Sequence, residues 1–124
     1  MCLIWNESNF NPTAPHAGGT ARGLMGIQKN GGMAQANIIN KRYKTEVQYS
    51  WGDMNDAKKN VRAGTEYLNW VAERPGDRDH NIKYKYGTGK TYPLDKIYAC
   101  EKCLRKENRC GDPDYELCLL KVHK

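Results

Sequence analysis

The sequence predicts an all-α domain with little or no sheet, and three observations carry that prediction. Apolar or small residues recur at helical spacing, most clearly at Val61, Gly64, Leu68 and Val71, which fall at i, i+3, i+7 and i+10. Turn-forming clusters punctuate the chain at 9–12, 75–77, 87–89 and 111–113. The 124 residues suffice for one hydrophobic core, so 1–124 is expected to form a single domain. No stretch approaches the roughly 18-residue apolar run of a membrane span. The N-terminal Met-Cys-Leu-Ile-Trp run is too short for a signal peptide, and no repeat or low-complexity tract is present.

The elements follow in order. Residues 1–8 read as the last turns of a helix that ends at the Asn/Pro-rich turn 9–12, and 13–20 read as a loop by composition. A short helix is expected over 21–28 and another over 32–42, with Met33, Ala36, Ile39 and Tyr43 at helical spacing. Val47, Tyr49 and Trp51 alternate and suggest an extended segment over 45–52. Asp53 offers an N-cap for the strongest helix, 54–74. Gly64 inside that helix costs about 1 kcal/mol relative to Ala, which implies close packing against another backbone. A helix over 78–86 ends at Gly87-Thr88-Gly89, and Tyr92-Pro93 leads into a helical hairpin, 93–107 and 113–122, turning at Gly111-Asp112-Pro113.

The first quarter carries the chemistry. Glu7 closes a short apolar run (Leu3, Ile4, Trp5) and is followed at once by a change of chain direction. Low polarity on one side of a carboxyl group disfavours its charged form, which is the environment a proton donor needs.

Four blocks in order extend this reading. Glu7-Ser8-Asn9-Phe10-Asn11-Pro12-Thr13-Ala14 fits the pattern E-S-x-F-N-P-x-A, and Thr20-Ala21-Arg22-Gly23-Leu24-Met25 fits G-A-x-G-L-M-Q up to Gly26, which stands in place of the glutamine. Asn60-Val61-Arg62-Ala63-Gly64-Thr65-Glu66-Tyr67-Leu68 fits N-I-x-x-G-x-x-Y-L. Lys83-Tyr84-Lys85-Tyr86-Gly87-Thr88-Gly89 is a degraded A-Y-N-A-G-x-G that keeps the tyrosine and both glycines. The ordered set, over roughly 1–98, resembles the soluble-lytic-transglycosylase (SLT) domain, a lysozyme-like fold that cleaves the glycan strands of peptidoglycan. The resemblance implies a single-domain lysozyme-like helical fold, with 1–98 as the family-like core and 99–124 as an appended cysteine-rich hairpin. It also implies more of the first helix upstream, and a crossing at Gly64 near the active-site helix.

What the resemblance implies for the reaction is a single catalytic carboxylate, Glu7. Glu7 would protonate the glycosidic oxygen between N-acetylmuramic acid and N-acetylglucosamine, then take the proton from the C6 hydroxyl as a 1,6-anhydro ring closes. Ser8, Gly23, Met25 and Tyr84 would bind substrate, Tyr84 as the cleft tyrosine. The rival readings are a muramidase that activates water with a second acid, drawn from Asp53, Asp56, Asp77 and Asp79, and a non-enzymatic envelope-binding or phage structural module. Those four aspartates each lie at a predicted helix start, where capping accounts for them.

A formal charge of +6 suits an anionic partner. The basic residues are spread along the whole chain without a nucleic-acid recognition motif, so peptidoglycan, rather than nucleic acid, is the expected partner. The protein is expected to be a monomer acting on the bacterial wall, in the periplasm, outside the cell or on a virion, and to need no cofactor. Among the five cysteines, Cys100, Cys103, Cys110 and Cys118 cluster. They admit disulfides within the hairpin (Cys103 with Cys110, Cys100 with Cys118), buried thiols, or a zinc site. Cys2 has no expected partner.

Overall fold

The structure is a computed structural model and describes residues 1–16, 19–86 and 92–107, of which 15, 16, 106 and 107 are described by backbone alone. It is mainly helical. Helix α1 (Cys2–Ser8) is followed by three two-residue strands, β1 (Pro15–His16), β2 (Ala21–Arg22) and β3 (Ile27–Gln28), in an antiparallel sheet of order β1-β2-β3. Registers pair Pro15 with Arg22 and Arg22 with Ile27. A π-helical turn (Lys29–Met33) runs into α2 (Ala34–Arg42). A 3-10 turn (Gly52–Asn55) precedes α3 (Ala57–Ala72), and α4 (Arg78–Lys85) and α5 (Leu94–Glu107) complete the described chain.

Two expectations shift locally. Residues 21–28 form a hairpin instead of a helix, because Gly23 and Gly26 take positive φ (78° and 59°) and turn the chain back between β2 and β3. The N-cap of α3 is Asp56, whose carboxylate accepts from the Lys59 N–H at 2.9 Å. Asp53 belongs one turn earlier: Ser50 N–H donates to Asp53 Oδ2 at 2.9 Å, and the Asp53 N–H points at Ser50 Oγ at 3.3 Å. The Ser50 backbone bond and the Lys59 ammonium hold the Asp53 carboxyl below its ordinary range.

Helix α3 divides two apolar clusters. One gathers Cys2, Val71, Ile82, Tyr86, Tyr92, Leu94, Ile97 and Cys100, and so joins α1, α3, α4 and α5. The other gathers Met25, Ile27, Met33, Ala36, Tyr49, Met54 and Ala63 beneath the hairpin. Leu3 packs against both. Gly64 meets the second cluster at Met25: a Cβ at 64 would overlap Met25 Sδ and lie 2.9 Å from its Cβ. The close approach implied by Gly64 is therefore to a side chain, not to another backbone.

Helix α1 is only seven residues long, too short to persist in isolation. Its N-terminus is fastened to α5. Cys2 and Cys100 form a disulfide with Cα atoms 6.1 Å apart, and Glu101 Oε1 accepts from the Cys2 N–H at 3.0 Å and pairs with the Met1 amine at 3.6 Å. This corrects the expected pairing of Cys100 with Cys118: Cys2, which had no expected partner, takes Cys100 because α1 and α5 pack side by side. Cys103 is also disulfide-bonded, so neither Cys100 nor Cys103 offers a thiolate to zinc. The expected Cys103–Cys110 bridge and the helix over 113–122 fall on residues outside the described ones.

Two stability predictions follow. Gly64→Ala gains helix propensity but collides with Met25, and is expected to lose about 1–3 kcal/mol in chemical denaturation; a neutral or stabilising result would contradict the packing. Joint replacement of Cys2 and Cys100 by serine, measured the same way, is expected to cost about 2–4 kcal/mol, the order associated with opening a long covalent loop.

Candidate functional site

Glu7 stands on the last turn of α1, half-buried, between the buried residues Asn6 and Ser8. The helix ends abruptly: Asn9 adopts φ 51°, its N–H bonds to Trp5 O at 3.0 Å, and Phe10 continues in the left-handed region at φ 62°. Two successive non-glycine residues of positive φ are uncommon, and the second carries a bulky ring. That ring packs on Trp5 with centroids 5.2 Å apart. The reversal places Glu7 at a chain corner instead of within a continuing helix.

The Tyr92 hydroxyl donates to Glu7 Oε1 at 2.7 Å. Tyr92 is buried, and its backbone is fixed by a bond from its N–H to Lys83 O at 2.7 Å and by acceptance from Leu94 N–H at 2.7 Å. Its ring meets Tyr86 edge-on (4.9 Å, 90°), and Tyr86 packs on Tyr67 of α3 at 5.6 Å. The phenols of Tyr92 and Tyr86 are both pushed far up from their ordinary value, first by burial and then by the Glu7 charge. Tyr92 is therefore a permanent donor across any working pH. Among the described residues Glu7 Oε2 takes no hydrogen bond, so one carboxyl oxygen is held and the other is free to address a ligand.

The hairpin is anchored on α3. Gly23 is buried at φ 78°, and a Cβ there would overlap both Asn60 Nδ2 and Met54 O. Asn60, wholly buried on α3, donates from Nδ2 to Arg22 O and to Met54 O at 2.8 Å each, and its Oδ1 accepts from the Met25 N–H at 2.8 Å. Met25 is 5% exposed and turned onto Gly64; with Leu3, Ile4 and Val61 it borders an apolar cavity of about 350 Å³.

The expected site residues thus divide. Gly23 and Met25 are held together by Asn60 beneath the hairpin. Ser8 adjoins Glu7, but it is buried and its hydroxyl donates within α1 to Ile4 O at 3.0 Å. Tyr84 is 58% exposed on α4, with its ring 4.7 Å from His80. The phenol that reaches the carboxylate is Tyr92, with Tyr86 behind it. Asn60, Tyr86 and Tyr92 were not among the expected site residues. Tyr86 sits two positions past Tyr84 and so on the other side of the helix end, and Tyr92 lies just outside the degraded block, ahead of Pro93.

The candidate second acids are occupied structurally. Asp56 and Asp77 cap α3 and α4, Asp53 bonds Ser50 and Lys59, and Asp79 accepts from the Tyr98 hydroxyl at 2.6 Å. Among the described residues no group of three or more His, Cys, Asp or Glu side chains is placed to hold a metal, and no helix is long and apolar enough to cross a membrane.

The sequence profile described as the Transglycosylase SLT domain matches residues 1–98. No curated protein and no solved structure matches the chain.

The elevated tyrosines make stability depend on alkaline pH. The folded chain keeps protons on Tyr86, Tyr92 and Tyr49 (the last pushed up to about 12 by burial and Glu66), while the unfolded chain releases them near the ordinary tyrosine value. Stability is therefore full below that ordinary value and falls as pH rises above about 10. Urea midpoints between pH 9 and 11.5 are expected to show this fall, and Tyr92→Phe is expected to flatten it, by about 1.4 kcal/mol per pH unit at the alkaline end.

Proposed function

Since the chain belongs to the Transglycosylase SLT domain family, whose activity is lytic-transglycosylase-type degradation of peptidoglycan, we propose that it is a lytic transglycosylase with Glu7 as its only catalytic carboxylate. The observation that carries this reading is the Glu7–Tyr92 pair: one carboxyl oxygen held at 2.7 Å by a phenol that does not titrate, the other without a partner among the described residues.

Glu7 donates its proton from the free oxygen to the glycosidic oxygen linking N-acetylmuramic acid to N-acetylglucosamine, and the C1–O bond breaks. The 2-acetamido carbonyl oxygen of the muramic residue takes up the electron deficiency at C1. The C6 hydroxyl oxygen of the same sugar then bonds to C1, displacing the acetamido oxygen, which recovers its electron pair, and releases its proton to Glu7. This closes the 1,6-anhydro ring and restores the acid. No water is consumed, so the reaction is a lysis, not a hydrolysis. One group serves as acid and then as base, and the fixed Tyr92 bond keeps its orientation through both steps.

The capping duties of Asp56 and Asp77, the bonds of Asp53 to Ser50 and Lys59, and the bond from Tyr98 to Asp79 support the single-acid reading over a water-activating pair. Gly26 supplies no side-chain amide to the cleft, so substrate is held without the glutamine that the family pattern has at that position. The Cys2–Cys100 disulfide supports work in an oxidising setting: the periplasm, the cell exterior or a virion, as in a phage-type wall enzyme.

Mass spectrometry of fragments released from purified peptidoglycan tests the proposal. Fragments ending in 1,6-anhydromuramic acid are expected. Glu7→Gln, which keeps the shape and removes the titration, is expected to lower the rate roughly 10²–10⁴-fold. Reducing-end muramic acid would make the protein a hydrolase, absence of fragments would make it a binding module, and wild-type activity of Glu7→Gln would end the assignment.

A further inference from the structure

Helix α1 carries the acid but is weakly held by its own packing. Seven residues do not sustain a helix alone, and its apolar residues Leu3, Ile4 and Trp5 are only half-buried. Leu3 and Ile4 border the cavity of about 350 Å³, together with Leu94 and Ile97 of α5, so one flank of the helix adjoins open space. What fixes its start is the clamp on α5: the Cys2–Cys100 disulfide and the bond from the Cys2 N–H to Glu101 Oε1 at 3.0 Å. Its far end presents Glu7 to the Tyr92 hydroxyl at 2.7 Å.

Tyr92 does not share this dependence. Its N–H bonds to Lys83 O at 2.7 Å and its ring rests edge-on against Tyr86, and neither contact involves α1. The two partners of the Glu7–Tyr92 bond are therefore supported differently. The phenol rests on α4 and its neighbours, whereas the carboxyl group rides on a short helix whose start is closed by a bond that thiol chemistry makes and breaks.

From this asymmetry we propose that the Cys2–Cys100 disulfide is a redox latch on the catalytic acid. With the bond formed, Glu7 is registered on Tyr92; with the two thiols reduced, α1 opens locally and the acid leaves that register. The proposal rests on the transglycosylase reading above and adds to it the regulation of the same site. The latch is set by thiol–disulfide exchange with a disulfide compound, RSSR. One cysteine thiolate attacks RSSR and expels one thiolate; the other then attacks the mixed disulfide, forms the Cys2–Cys100 bond and expels the second. Two electrons and two protons pass from the protein to RSSR, which leaves as two RSH. Cys2 and Cys100 have no exposure once paired, so the closed latch is shielded from soluble reductant.

The test refolds the full chain with oxidised glutathione or with dithiothreitol, then compares amide hydrogen exchange and turnover of soluble glycan strands. Cys2→Ser combined with Cys100→Ser, refolded with oxidised glutathione, removes the latch and leaves the bridge at Cys103 in place. In both the reduced chain and this variant, the amides of residues 5–8 are expected to exchange roughly tenfold faster while those of α3 stay protected. The expected fall in kcat is roughly 10- to 100-fold, the order of a misplaced catalytic group, with KM held within about threefold. Unchanged exchange in α1 would overturn the latch. Equal loss of protection in α3 would overturn it too, since the bond would then be a brace for the whole fold. So would a variant as active as the oxidised wild type, or one that loses activity again on reduction. If the oxidised wild type releases no fragments, the transglycosylase reading falls, and the exchange comparison alone decides whether the bond holds the helix that bears Glu7.

Discussion

The carboxamide of Asn60 is the contact on which the placement of the hairpin depends. It has no exposure, and its three hydrogen bonds engage the backbone of Arg22 and Met25 in the hairpin and of Met54 in the 3-10 turn. Each bond is worth only about 0.5–1.5 kcal/mol net, but a buried partner left without one costs about 1–3 kcal/mol. The arrangement is therefore close to all-or-none. Because Asn60 lies in the first turns of α3, the hairpin turn and the 3-10 turn are both registered on that helix. Gly23 follows as a requirement: only a residue without a Cβ lets the chain pass so near the carboxamide and Met54 O. Met25 then drops onto Gly64 one turn further along, so a polar pin and an apolar contact fix the same loop.

Farther along α3, Tyr67 touches Tyr86, Tyr86 meets Tyr92, and Tyr92 holds Glu7. The helix that anchors the hairpin at its start thus supports the acid's partner near its end. Glu66 adds a polar tie between, accepting from the Tyr49 hydroxyl at 3.0 Å and from Asn40 Nδ2 at 2.6 Å, which joins α2 and the 43–51 connection to α3. Rigid supports of this kind hold the Glu7 carboxyl group better than the seven-residue helix that bears it.

Much of this was legible because it depends on local chemistry. The helices 57–72, 78–85 and 94–107 announced themselves by periodicity and breakers, and Glu7, Gly23 and Asn60 fell in blocks whose order carried the family resemblance. The misreadings have physical sources. Asp53 and Asp56 are equally good caps in composition; the Ser50–Asp53 turn, a matter of three-dimensional closure, assigned α3 to the second. Residues 21–28 are apolar enough for a helix, and only the positive φ at Gly23 and Gly26 makes them a hairpin. Tyr84 kept its place in the block but faces solvent, since a two-residue step at a helix end exchanges the faces of Tyr84 and Tyr86. Cys2 and Cys100 are 98 positions apart, and no local pattern links them.

The Tyr92-Pro93 dipeptide explains how a phenol outside the family block reaches the acid. Proline disfavours the helical region for the residue before it and suits the first turn of the helix after it. Tyr92 thereby stays outside the helix at the threshold of α5, with Leu94 N–H bonded to its carbonyl at 2.7 Å, and Ile97 N–H bonds back to Pro93 O at 3.2 Å as the helix begins. Two turns further on, the same helix carries Cys100 and Glu101, which clamp the N-terminus of α1. Helix α1 in turn ends at Glu7. The acid and the phenol therefore belong to a closed mechanical loop: α1, the disulfide, α5, the proline-set entry and the 2.7 Å hydrogen bond. A loop closed covalently at one end leaves little freedom at the other, so the distance between Glu7 and Tyr92 is set by the packing of two helices, not by the flexibility of two side chains. In that geometry the tyrosine's position along the chain matters less than the helix that aims it.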